Sequence, residues 1–209
     1  MCAIFGSFNF NRFNELAVQN SYRGQHSFSI STFDPTTGEL DVKRKLTGPF
    51  DSSNMSIEKG VYWIGHIQAP TTDGKSSDYI HPSVIDDSYL WHNGIIKEDC
   101  IKYMQAVLGE NTPWDTKLLH EWFESGLDLS DVDGTFSCLV HRKRLLYLFR
   151  NEISPMFYDE KLNISSVRFD ESARTPANAV LKMDFDQMYL HHSESFTTKE
   201  NPYYFKDGA

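Results

Sequence analysis

Long apolar runs are missing from this 209-residue chain. A helix that crosses a bilayer needs about 20 consecutive apolar residues, so no membrane span is expected. The first residues lack a charged segment leading into an apolar one, so no secretory signal is expected either. Cysteine is scarce: Cys2, Cys100 and Cys138 are an odd number at unrelated spacings. That excludes a disulfide framework and a C-x-x-C metal site, and it fits a reducing cytoplasm. Positive charge is the minority, with 20 Lys and Arg against 29 Asp and Glu and a net charge of −9. A nucleic-acid binder normally carries a basic patch. Here the basic clusters, Lys43 to Lys45 and His141 to Arg144, are short and interleaved with apolar residues. Internal repeats, low-complexity segments and long linkers are also absent.

What is present is a globular composition, 40% hydrophobic and 14% aromatic, on a chain long enough to bury a sizeable core as one domain over 1–209. Cys2 to Phe8 is a short apolar run of strand formers, and Asn11 to Gln19 has helical spacing. Ser27 to Thr32 and Leu40 to Leu46 alternate like strands across a turn containing Asp34, Pro35 and Gly38. Val61 to Ala69 and Tyr89 to Ile96 read as buried strands, and Glu98 to Leu108 as a helix. In the next helix, Thr112 is expected to cap, with Pro113 in the first turn and Asp115 completing a T-x-x-D box. Trp114, Leu118, Leu119, Trp122 and Phe123 form its apolar face. Strands return at Thr135 to Val140, Arg144 to Phe149, Lys161 to Val167, Val180 to Phe185 and Met188 to Phe196. The order implies an α+β fold of two antiparallel sheets with helices packed outside them.

Cys2 is the first candidate for chemistry. Removal of Met1 would give it both a thiol and a free α-amine. An ordinary cysteine has a pKa of about 8.5 and needs a base. An α-amine, at about 7.7–8.0 against about 10.4 for lysine, could serve. Nucleophile and base would then share one residue. The plainer reading is a cysteine packed as a small apolar residue in the first strand.

Several segments, in order, resemble class II glutamine amidotransferases. Met1-Cys-Ala-Ile-Phe-Gly is similar to their opening, which usually has Gly at the position of Ala3. Tyr22-Arg-Gly-Gln-His-Ser resembles the loop that packs over the nucleophile. Gly65-His-Ile-Gln-Ala-Pro-Thr resembles a Gly-His-x-Arg-x-x-Thr strand end, His92-Asn-Gly the Asn-Gly oxyanion element, and Asp115-Thr-Lys-Leu-Leu a helix start. Asp133-Gly-Thr-Phe-Ser and Arg150-Asn-x4-Pro-Met-Phe-Tyr resemble later strands of the family. The resemblance implies a four-layer αββα sandwich, the N-terminal nucleophile hydrolase fold. It implies Cys2 as nucleophile, with the Asn93 side chain and the Gly94 N–H as oxyanion donors. It also implies Asp115 as holder of the substrate α-ammonium and Arg23 beside the thiolate. Read from the residues alone, Asn93-Gly94 could be a hairpin turn. Asp115 could be a helix-start carboxylate, and Arg23 a surface arginine stacked on Tyr22. His66, His81 and His92 are scattered, and His191 and His192 point to opposite faces of a strand. No metal and no cofactor are expected.

The pattern breaks at two places. The family arginine that binds the substrate carboxylate falls at Gln68, which cannot form the bidentate charged pair. Ile95 stands where one branch of the family has Glu. Thr71 and Thr72 could supply part of the carboxylate contact. No pyrophosphatase loop, phosphoribosyl site or isomerase segment is found. The expectation is therefore a stand-alone amidohydrolase that releases ammonia, from glutamine or a related small amide, to a separate synthase. Two competitors remain: an N-terminal-cysteine amidase for an amide without a free carboxylate, and a catalytically silent binding domain.

Overall fold

Strand alternation builds the core. In the computed structural model, which describes residues 2–69 and 79–199, β1 (Ala3–Ser7), β4 (Tyr62–Gln68) and β2 (Ser27–Asp34) are buried along almost their whole length. They lie at the heart of a sheet that continues through β3 (Glu39–Thr47). On its other side stand three short strands, β9 (Phe157–Tyr158), β10 (Ile164–Ser165) and β11 (Ala173–Arg174). Its strand order is β11-β9-β10-β1-β4-β2-β3. A second sheet, of order β13-β12-β8-β7-β6-β5, contains β5 (Ser83–Ile85), β6 (Ser88–Ile96), β7 (Gly134–Arg142) and β8 (Leu145–Arg150), with β12 (Ala179–Asp184) and β13 (Tyr189–Ser195). The pairings are antiparallel. The fold is α+β.

Side-chain parity assigns the layers. Ile4, Tyr62 and Ile64 meet Trp91, Leu139 and Leu148 in an apolar cluster between the sheets. The neighbours of opposite parity, Ala3, Phe5, Trp63 and Ile67, pack instead with α1 (Phe10–Asn20) through Phe13, Leu16 and Ala17. On the far side, Leu90, Ile96, Phe136 and Cys138 pack with Leu118, Leu119 and Trp122 of α3 (Asp115–Glu124) and Met104 of α2 (Glu98–Leu108). The layers run helix, sheet, sheet, helices. Each fully buried aromatic or aliphatic side chain contributes about 1.5–3 kcal/mol to that arrangement.

Local signals account for most boundaries. The Asn9 side chain accepts from the Asn11 and Arg12 N–H groups and starts α1, as an N-cap should. The start of α3 differs from the T-x-x-D expectation. Thr112 Oγ1 turns back to the Trp114 N–H at 3.3 Å, Trp114 stays extended, and helical geometry begins at Asp115. The expected strand over Lys161 to Val167 shortens to β10. The reason is Asp159, whose carboxylate accepts from the Lys161 and Asn163 N–H groups at 2.9 Å each and closes a turn.

Candidate active site

Parity also brings the candidate residues together. Cys2 precedes β1 by one residue and shares the inter-sheet face with Ile4. Ala3 pairs with Ile67 and Gln68 with Ser27, so continuing the register sets Cys2 beside Gln68. On the facing sheet Asn93 lies in β6, opposite Ser137 of β7, with the parity of Trp91. Asn93-Gly94 is therefore mid-strand, and the hairpin-turn reading is replaced. A side chain at Gly94 would collide with the Thr135 carbonyl, which explains glycine there.

One hydroxyl ties the two sheets at this point. Ser166 Oγ accepts from the Ile4 N–H at 2.9 Å and from Asn93 Nδ2 at 3.3 Å. Ser154 Oγ donates to the Asn93 carbonyl at 2.9 Å. The loop that presents Ser154 is fixed by Asn151 Oδ1, which accepts from the Ser154 N–H at 3.2 Å. Arg150 donates to the Asn151 and Thr175 carbonyls. Ser154 and Ser166 were invisible in the sequence, because a lone serine in a polar loop carries no signal. The Arg150-Asn151 pair was visible, and its role here is to brace the Asn93 strand.

Cys2 is 4% exposed. Its thiol lies 3.7 Å from the Ala69 carbonyl, and burial pushes it up to about 11. Arg23 donates from Nε to the Cys2 carbonyl at 2.8 Å, so it holds the backbone at the start of β1. Gly24 sits against the Gln68 carbonyl and the Ala69 nitrogen, where a side chain would clash. The Tyr22-Arg23-Gly24 segment thus packs onto the end of β4, next to Cys2.

Asp115 and Gln68 belong to one buried polar chain. Gln68 Nε2 donates to the Tyr79 carbonyl at 3.0 Å, which fixes the amide orientation. Its Oε1 then accepts from Ser27 Oγ at 3.0 Å and from His81 Nδ1 at 3.1 Å. His81 Nε2 meets Thr116 Oγ1 at 3.0 Å, and Thr116 Oγ1 lies 3.3 Å from His92 Nδ1. Asp115, 5% exposed, accepts from the Thr116 N–H at 2.8 Å and the Ile96 N–H at 3.4 Å, with His92 Nδ1 at 3.9 Å. The helix-start position of Asp115 and its place in this chain coincide. Burial drives His66 down to about 3 and His81 well below the ordinary range. It also lowers His92, with the Asp115 carboxylate pulling the other way.

The histidines are not scattered. The His66 and His81 rings stack at 3.9 Å between centroids, and His66 Nε2 lies 3.1 Å from the His92 carbonyl. Among the described residues no three His, Cys, Asp or Glu side chains converge as a metal ion would require. Thr71 and Thr72 lie outside the described residues.

No family model and no curated protein matches the chain in sequence. Solved structures do. The glutamine phosphoribosylpyrophosphate amidotransferase of B. subtilis, complexed with ADP and GMP, aligns with a TM-score of 0.70 over 96% of this chain at 19% identity. A structure described as the allosteric regulatory enzyme of purine biosynthesis aligns with a TM-score of 0.70 over 95% at 18% identity. The chain spans 50% of the length of each. The likeness is one of fold: two facing antiparallel sheets with helices packed outside them are shared with these structures. Among the described residues no helix is long and apolar enough to cross a membrane.

Proposed function

We propose that the chain is a glutamine-amidotransferase-type amidohydrolase, with Cys2 as nucleophile once Met1 is removed. The observation that carries this reading is the placement of Cys2 and Asn93 on facing surfaces of the two sheets, joined through Ser166. A thiol pushed up by burial does not ionise unaided, so a base is needed at the same place. The α-amine of a processed Cys2 would be that base. The thiol sulfur attacks the amide carbon while the amine takes the thiol proton. Asn93 Nδ2 and the Gly94 N–H receive the oxyanion. The C–N bond then breaks, the held proton goes to the departing nitrogen, and ammonia leaves a thioester on Cys2. Water reverses the sequence, giving the carboxylic acid and the free thiol.

Asp115 is the receptor for a substrate ammonium group, and a separate ammonia-accepting synthase is the partner. Glutamine is the first substrate to test, with Thr71 among its contacts. A second reading is favoured by Gln68: both lone pairs of its oxygen are engaged by Ser27 and His81, and it brings no charge. An amide whose neighbouring carbonyl is neutral suits that wall better than a free carboxylate. Ammonia release from glutamine and glutaminamide, for wild type and Cys2→Ala, tests both readings. Turnover that survives Cys2→Ala would sink them together. A preference for glutaminamide selects the second.

A further inference from the structure

The hydrogen bonds of the buried chain beside Asp115 run one way, which follows from what each partner can give or take. Gln68 Nε2 donates to the Tyr79 carbonyl, so its Oε1 is the atom that His81 Nδ1 meets at 3.1 Å. An amide oxygen only accepts, so His81 carries its proton on Nδ1. Burial keeps that ring neutral, which leaves a bare lone pair at Nε2. Thr116 Oγ1, 3.0 Å away, fills it with its single hydroxyl proton. The same oxygen then has only lone pairs to offer His92 Nδ1 at 3.3 Å. Burial lowers His92 too, so its one proton has two acceptors to choose between: Thr116 from Nδ1, or the Thr135 carbonyl at 3.3 Å from Nε2. The Asp115 carboxylate, 3.9 Å from Nδ1, decides the choice. It attracts a proton on Nδ1 and repels a bare lone pair there.

This direction leads the neighbouring side-chain donors away from Asp115. The Thr116 hydroxyl lies 3.4 Å from Asp115 Oδ1 and gives its proton to His81 instead. His92 gives its proton to Thr116 at 3.3 Å, with Asp115 Oδ2 farther off at 3.9 Å. Among the described residues, what remains on the carboxylate is two backbone N–H groups, Thr116 at 2.8 Å and Ile96 at 3.4 Å. A carboxylate has about four lone-pair sites, and one only 5% exposed is normally paired. We propose that Thr116 is a positioning residue that keeps Asp115 open for a substrate ammonium group by drawing the His92 proton to itself, an inference that rests on Asp115 being the ammonium receptor. His81 completes the device by holding the proton of Thr116 off the same carboxylate. An ammonium group brings three donors to the sites left open.

Thr116→Val and Thr116→Ser separate this role from a merely structural one. Valine removes the hydroxyl, so the His92 proton turns to Asp115 and occupies part of the carboxylate. The expected result is a KM for glutamine about 10-fold higher, the equivalent of one lost hydrogen bond, with a smaller change in kcat. Serine retains the hydroxyl and should stay near wild type. Glutaramate, which is glutamine without its α-amine, has nothing for Asp115 to hold, so its KM should be the same in wild type and Thr116→Val. An equal rise for both substrates overturns the inference and leaves Thr116 a packing contact. Should Thr116→Val not fold, nitrogen NMR of histidine-labelled Cys2→Ala reads the chain directly. His81 and His92 must both be protonated at Nδ1 and bare at Nε2. A proton on Nε2 of either ring overturns the inference. Wild type that turns over neither amide removes the amidohydrolase reading itself, and the positions of the histidine protons then still decide the direction of the chain.

Discussion

Asn93 shows how much can hang on one side chain. Its amide is oriented by Ser166 and its carbonyl by Ser154, so the protein itself holds the proposed oxyanion donor in place, as preorganised stabilisation requires. Asn93→Ala should lower kcat by about 10²–10³ with a smaller change in KM; a change confined to KM would assign Asn93 to binding. Cys2 is the other decisive residue. Active protein should have a mass lacking Met1, and material that retains Met1 should be inactive, because its amine is not on the nucleophile. Full activity with Met1 in place would sink the amine-base step but not the fold. Gln68→Arg gives a third outcome. Arginine has no acceptor for Ser27 or His81 and brings a charge to a site only 8% exposed, so it should lower the melting temperature. A variant of unchanged stability would mean the Ser27–Gln68–His81 chain is not what holds this wall.

At the scale of elements, β6 is the part where sequence and structure agree best. The run from Tyr89 to Ile96 reads as buried strand and forms one, from Ser88 to Ile96, because its apolar residues serve the inter-sheet and helix-facing layers alternately. Gly94 is legible only through its neighbour, since the dipeptide alone signals a turn. Gly94→Ala puts a methyl group onto the Thr135 backbone. Forcing strands apart in this way typically costs about 1–3 kcal/mol. Urea denaturation should show at least that loss, and wild-type stability would mean the β6–β7 register yields freely. Long amphipathic elements such as α2 and α3 were readable from spacing. The short strands β5, β9 and β11 were not, since two or three residues carry no period and form only where a neighbouring strand offers its edge. The candidate site divides along the same line. Cys2, Asn93, Gly94 and Asp115 could be named from their motifs. Their supports, Ser166, Ser154, Thr116 and His81, come from distant loops and helices that only folding brings together.

For the whole molecule, the notable electrostatic feature is a set of neutral histidines buried in an acidic chain. His66 on the inter-sheet side is driven by burial to about 3, and His120 to about 4. His120 links α3 to the edge of the second sheet through Ser88 Oγ at 2.9 Å and Ser83 Oγ at 3.2 Å. In the unfolded chain a histidine titrates near about 6.5. Above that pH both states are neutral and the stability is fully present. As pH falls below it, the unfolded chain takes protons that the folded one refuses, and stability declines until the folded values are reached. Each such proton steepens the decline by about 1.4 kcal/mol per pH unit, so His66 and His120 together give a slope of about 2.7 between roughly pH 6 and 4. The shifted carboxylates, among them Asp34, Asp51 and Asp184, are partly or fully open to solvent, which screens them. Hydrogen bonds from neighbouring N–H groups and hydroxyls hold them below the ordinary carboxylate range, so their contribution is lost only as pH falls from about 4 downward, where the unfolded chain begins to take protons. Urea unfolding at pH 7, 6 and 5 should therefore show a loss that begins before the carboxylates titrate. His120→Asn, which lies outside the proposed catalytic site, should remove its share of the slope. A stability flat from pH 7 to 5 would mean that these histidines become protonated without unfolding, and that the layers around them open easily to water.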